Sequence, residues 1–124
     1  MHIREVSSTS WDEFCRRING QQRGALVNIE TIASDGYRMT TASDAIFESL
    51  ALDARGACND VLSVRVSKDR ELIHDIIEPI HIKLTESSAS GDYNPVQIEA
   101  ENGITLLTFH PAIHNQLLDG LALS

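Results

Sequence analysis

The sequence predicts an α+β domain: an N-terminal amphipathic helix packed on a curved, mostly antiparallel meander sheet, half-barrel-like in form. Three observations point there. Residues 10–18 carry a helix-start signature followed by one apolar stripe. From Gly24 onward the chain breaks into short alternating segments cut by turn residues. Near the end, VQIEAENGITLLTFH reads as a complete hairpin.

The helix comes first. Ser10-Trp11-Asp12-Glu13 has the form of a capping box, in which the Ser10 hydroxyl accepts from the Glu13 amide and the Glu13 carboxylate from the Ser10 amide. Trp11, Phe14, Cys15 and Ile18 follow at i, i+3, i+4 and i+7, one face of a helix. Arg16 and Arg17 sit toward the negative end of the helix dipole, and Gly20 is placed to stop it, giving about ten residues. The stripe should cover a sheet face, so Trp11 is read as core rather than as a stacking platform.

ALVNIETIA, Ser34-Asp35-Gly36 and YRMTT then form a hairpin signal. A two-residue turn would place Val27 opposite Asp44. A three-residue turn with a bulge at Gly36 gathers Val27, Ile29, Tyr37 and Met39 on one face, and a sheet is specified by that gathering. IFESLALD reads as a further strand, ARGACND as a loop, and VLSVRV as a strand with Leu62, Val64 and Val66 on one side. In the last hairpin Asn102-Gly103 suits a type I′ turn, opposing Val96 to Phe109, Ile98 to Leu107 and Ala100 to Thr105. The total is about six or seven short strands.

The stretch ELIHDIIEPIHIKL, residues 71–84, supports two readings up to Pro79. As a helix it leaves Glu71, His74, Asp75 and Glu78 in water. As a strand it puts His74 between Leu72 and Ile76 on one face, with Ile73, Asp75 and Ile77 on the other. Its β-branched content favours strand. Beyond Pro79, Ile80, Ile82 and Leu84 alternate with His81, Lys83 and Thr85, which is strand.

These residues bear on chemistry. A metal site could draw on His74, His81, His110 and His114, but Pro111 interrupts the last pair and strand alternation parts the first, so neither a metal nor another cofactor is expected. Cys58 lies in a polar loop without an evident base, and there is no GxSxG elbow or phosphate loop. The pairs Glu99 with Glu101 and Asp75 with Glu78 read as the wet face of strands. The sequence therefore points to a non-catalytic binding or protein-interaction module. The alternative is a hydrolase-type enzyme using His74 or His81 with a nearby carboxylate, Asp75 or Glu78.

Several short motifs resemble one known family. Ile3-Arg4-Glu5-Val6, Trp11-Asp12-Glu13-Phe14, Gly24, the segment from Leu72 to Pro79 and the hairpin from Gln97 to Phe109 are similar to the small bacterial family called domain of unknown function five-three-three-five. The resemblance covers most of residues 3–111 and implies a bacterial, stand-alone domain with no activity attached. The sequence after Pro111 departs from the family pattern.

Charge narrows the partners. A net charge of -8 with no offsetting basic stripe disfavours nucleic acid and anionic membranes. The N-terminus lacks the apolar segment of a secretory signal, and two cysteines make no disulfide framework, so a cytoplasmic location is expected. Residues 1–111 are read as one domain. In the tail, 112–124, Ile113, Leu117, Leu118 and Leu121 have the spacing of a helix face, and that face is expected to be an interface, with a homodimer as the favoured partner and another protein as the alternative.

Overall fold

The computed structural model describes residues 2–53, 60–87 and 89–123. It is an α+β domain, mostly antiparallel sheet, with one helix of real length among the described residues. The elements in order are β1 (His2–Val6), a 3-10 turn (Ser8–Ser10), α1 (Trp11–Gln22), β2 (Leu26–Ala33), β3 (Arg38–Asp53), β4 (Val61–Lys68), β5 (Arg70–Ile77), β6 (Pro79–Glu86), β7 (Tyr93–Ala100), β8 (Gly103–His110) and a second 3-10 turn (Asn115–Leu118). Most of ARGACND, including Cys58, lies outside the described residues.

The helix buries the expected stripe of Trp11, Phe14, Cys15 and Ile18, and adds Gln22. Two details differ from the sequence reading. Gly20 sits inside the helix, which runs on until Gly24 turns the chain at φ +90°. The capping box does not form either. Ser10 makes no side-chain cap; its hydroxyl accepts instead from the amide of Ala122, while Glu13 pairs with Arg16 and Arg17. A tertiary partner has displaced the local one.

All eight strands among the described residues belong to one open sheet in the order β1-β6-β7-β8-β2-β3-β4-β5, every neighbour antiparallel. This is not a single meander. Strands β2 to β5 form one and β6 to β8 another, joined side by side at β8–β2. The order has a consequence for shape. β5 is an edge strand and β6 is second from the opposite edge, six steps away, roughly 29 Å across a flat sheet. Yet only Glu78 separates Ile77 from Pro79, a span of at most about 7 Å. The sheet must therefore curl until its two ends meet, with Glu78 at φ +54° making the corner. The stretch 70–77 is strand, as its β-branched content suggests.

The three-residue turn at Ser34-Asp35-Gly36 forms as expected, closed by the Ala33 amide to the Tyr37 carbonyl at 2.8 Å. YRMTT and IFESLALD are not separate strands, however. From Arg38 on they make one 16-residue strand, bulged where the positive φ of Asp44 lets its amide reach Asn28 Oδ1 at 2.6 Å. Val27 and Ile29 join the core, but Tyr37 and Met39 lie on the hairpin tip beyond it and stay exposed.

The register of the last hairpin also differs. Val96 opposes Leu107, Ile98 opposes Thr105 and Ala100 opposes Gly103, so the turn residues are Glu101 and Asn102, and neither has the positive φ of a type I′ turn. The cause is β2 on the other side of β8. There Gly103 pairs with Ala33, and a Cβ at Gly103 would stand 2.5 Å from the Ile32 carbonyl oxygen. Gly103 serves a close strand approach, not the turn. Because the shift is two residues, each side chain keeps its face.

The core fills the curl. Phe47 and Phe109 meet edge to face, ring centres 5.0 Å apart, beneath α1. The tail is part of this core. Ile113, Leu117 and Leu118 are buried and Leu121 is half-buried, with Tyr93 bridging to Ile113 and Val6 to Leu123. The expected interface helix is a short 3-10 turn, and the residues expected to face a partner face their own chain. Arg17 of α1 holds them there by donating to the Leu117 carbonyl at 3.0 Å.

Candidate functional site: the cleft between β5 and β8

Curling brings the inner face of β5 over β8. His74 lies on that face between Leu72 and Ile76, and its Nε2 stands 3.4 Å from Thr105 Oγ1, although β2, β3 and β4 lie between their strands in the sheet. Around them opens a cleft of about 300 Å³. Its walls are largely apolar, from Ile76, Ala33, Ala100 and Ile104, and its mouth carries Tyr37 and Met39. Thr31 adds a second hydroxyl.

The electrostatics of the floor follow from burial. Desolvation lowers the His74 pKa from its ordinary 6.5, and the charge of Asp75, which acts the other way, is the smaller effect. At neutral pH the imidazole is uncharged, with one donor and one acceptor nitrogen. Thr105 is 5% exposed, and its hydroxyl and the ring form a small polar spot in a largely apolar cavity, which Asp75 and Asn102 also line. Such a cleft can hold a neutral molecule and orient it by one or two hydrogen bonds.

The four candidates His74, Asp75, Glu78 and His81 are not brought together. Asp75 points to the other face, where Oδ1 accepts from Ser63 Oγ at 2.7 Å. Glu78 sits at the corner, its amide donating to the Asp60 carbonyl at 2.9 Å. His81 faces outward with Lys83, and its Nδ1 is 2.7 Å from Glu5 Oε2 on β1. Beside it Lys83 Nζ lies 2.9 Å from Glu99 Oε2. Their mutual hydrogen bond raises the lysine pKa and lowers that of the carboxyl. This second cluster is a solvated ladder across β1, β6 and β7 on the open outer face.

The remaining histidines serve locally. His114 Nδ1 accepts from the Gln116 amide at the start of the second 3-10 turn, and His110 is exposed at the end of β8. Among the described residues no three His, Cys, Asp or Glu side chains lie where they could hold a metal ion. Among the same residues no helix is long and apolar enough to cross a membrane.

Sequence reading missed Thr105 and Thr31 as site residues, and it took Tyr37 and Met39 for core. One signal was present. Thr105 and His74 are polar residues at inward positions of otherwise apolar strands, a break in alternation at each place. That the two breaks face each other depends on the sheet's curl.

No family model, no curated protein and no solved structure matches the chain.

Proposed function

We propose that the protein is a non-catalytic binding module that takes a small, uncharged, mainly apolar ligand in the cleft floored by His74 and Thr105. One observation carries this reading: a half-buried imidazole and a buried hydroxyl, 3.4 Å apart, at the floor of a largely apolar cleft. Tyr37 and Met39 at the mouth are large side chains with no core to join, suited to closing on a flat ligand. The net charge of -8 favours neutral or cationic ligands and argues against nucleic acid and anionic membranes as partners. In this reading the chain is a bacterial cytoplasmic protein of the family that its Trp11 and Arg4-Glu5 motifs resemble.

The test uses 2-naphthol and its carboxylate counterpart 2-naphthoate, followed by amide shifts in NMR. Naphthol should move Thr31, Ala100, Gly103 and Thr105 together, and naphthoate should not. Shifts scattered over the surface, or none up to millimolar naphthol, would remove the cleft from consideration.

A second reading, a hydrolase-type enzyme, rests on the His81–Glu5 contact, which has the form of a base held by an orienting carboxylate. The contact stands half-exposed on the outer sheet face, outside any cleft among the described residues, so it weighs less. Ester hydrolysis lost in both His81→Ala and Glu5→Gln would favour it.

A further inference from the structure

The chain has 10 Lys and Arg against 18 Asp and Glu, so carboxylates outnumber the cations that could pair with them. Arg4, Arg16, Arg17, Arg38, Arg65 and Lys83 each pair with one. Among the described residues Lys68 and Arg70 pair with none. The two stand directly opposite each other where β4 turns into β5, on the face that carries Val66 and Leu72. Like charges so placed destabilise a strand pair. The turn thus holds a repulsion that no carboxylate among the described residues relieves.

The same two side chains line a hollow of about 250 Å³. Thr41 and Ser43 bring hydroxyls to it, and Ala45, Val66 and Leu72 give it apolar walls. Among the described residues no Asp or Glu lines it; Asp69, which joins the two cations at φ +66°, is not part of the lining. We infer that this hollow binds a small organic carboxylate, its charged end between Lys68 and Arg70 and its apolar body against Val66 and Leu72. Lys68 Nζ donates to the Ser43 carbonyl at 2.6 Å, which fixes the ammonium at the rim and leaves it further donors. The Arg70 side chain makes no hydrogen bond or ion pair among the described residues, so its planar fork can take a carboxylate through two parallel bonds. A carboxylate there also removes the repulsion across the strand pair.

The inference goes beyond the ligand reading and does not depend on it, since the hollow shares no lining residue with the cleft floored by His74. Nor does the net charge of -8 stand against it. That charge opposes extended polyanions, whose many phosphates meet the whole surface. A single small anion answers to the charges within about a Debye length, roughly 8 Å at physiological salt, and in this hollow those nearest are two cations.

The probe is benzoate, with benzamide as a neutral molecule of the same shape and inorganic phosphate as an anion without an apolar body. Titrated into the full chain and followed by amide shifts in NMR, benzoate should move Ser43, Lys68, Arg70 and Leu72 together and saturate. Benzamide should leave them in place. Phosphate should bind at least about fivefold more weakly, because it gains nothing from the apolar walls. Arg70→Gln should weaken benzoate at least about fivefold with shifts elsewhere unchanged, since the substitution removes a charge and breaks no contact among the described residues. Benzamide binding as tightly as benzoate would overturn the role of the cations, and phosphate binding as tightly would overturn the choice of an organic carboxylate. Shifts at Thr31 and Thr105 instead would place benzoate in the other cleft. No saturable shift at tens of millimolar benzoate, or an Arg70→Gln variant that binds like the original, ends the proposal.

Discussion

The hydroxyl of Ser10 accepts a hydrogen bond at 3.0 Å from the amide of Ala122, across a separation of 112 residues. It joins the start of α1 to the last turn of the tail, where the sequence suggests a local cap. Ser10→Ala should cost about 0.5–1.5 kcal/mol in urea unfolding, the net worth of one such bond. Hydrogen exchange at Ala122 should quicken, with α1 little changed. An effect on exchange confined to the first turn of α1 would mean that Ser10 is a helix cap after all.

Gly103→Ala should destabilise the protein by about 2 kcal/mol or more, whereas Asn102→Ala should change it by less than about 0.5 kcal/mol. The first adds a Cβ 2.5 Å from the Ile32 carbonyl at a backbone φ of +151°; the second alters a turn residue that needs no positive φ. Equal costs would restore the type I′ turn and the register that goes with it.

The tail is expected to behave as core. Leu117→Ala should cost about 2–4 kcal/mol, the usual range for a buried leucine, and Ile113→Ala a similar amount. A chain ending at His110 should lose cooperative unfolding altogether. If the shortened chain melts like the full one, the tail contributes nothing to the fold.

Burial of His74 sets a pH dependence with a definite sign. Its folded pKa lies below the ordinary 6.5, so the unfolded chain takes up the proton first. The stability this contributes is complete above 6.5 and is lost as pH falls through the lower folded value. Melting temperature should therefore drop as pH falls below about 6.5, and less steeply in His74→Gln. A slope unaffected by the substitution would place the titration elsewhere.

Cys15 should be silent to thiol reagents. Burial pushes its thiol up to about 12, with the charge of Asp12 adding to the effect, so almost no thiolate exists at pH 8. Mass mapping after mild alkylation should find it unmodified until the protein is unfolded. Modification at the native rate of a free thiol would mean that α1 opens readily.

Features set by nearby residues were legible in the sequence. The stripe from Trp11 to Ile18 and the alternation in VLSVRV each reflect a periodicity within one element, and the structure buries both. His74 was readable as inward-facing for the same reason. What was not legible depends on two strands at once. β8 is held by β7 and β2 together, and the crowding at Gly103 from the β2 side outweighs the turn preference of Asn102-Gly103. Ser10 likewise looked like a cap because the donor its hydroxyl accepts from, the Ala122 amide, lies 112 residues away. The meeting of His74 with Thr105 follows from the corner at Glu78, and no local pattern announces which strands a corner will bring face to face.

That corner also divides the chain by the cost of assembling it. Strands β2 to β5 pair in sequence across short connections, and so do β6 to β8, so each group closes small loops. The seam between β8 and β2 joins Val27 to Phe109 across roughly eighty residues and has the larger closure entropy to overcome. Assembly of the two ribbons should thus precede the seam, and the seam should govern the folding rate. Weakening Leu107 or Ile29, which face each other across it, would then alter mainly the step that comes last. Until that step the cleft has no floor, because His74 and Thr105 belong to different ribbons.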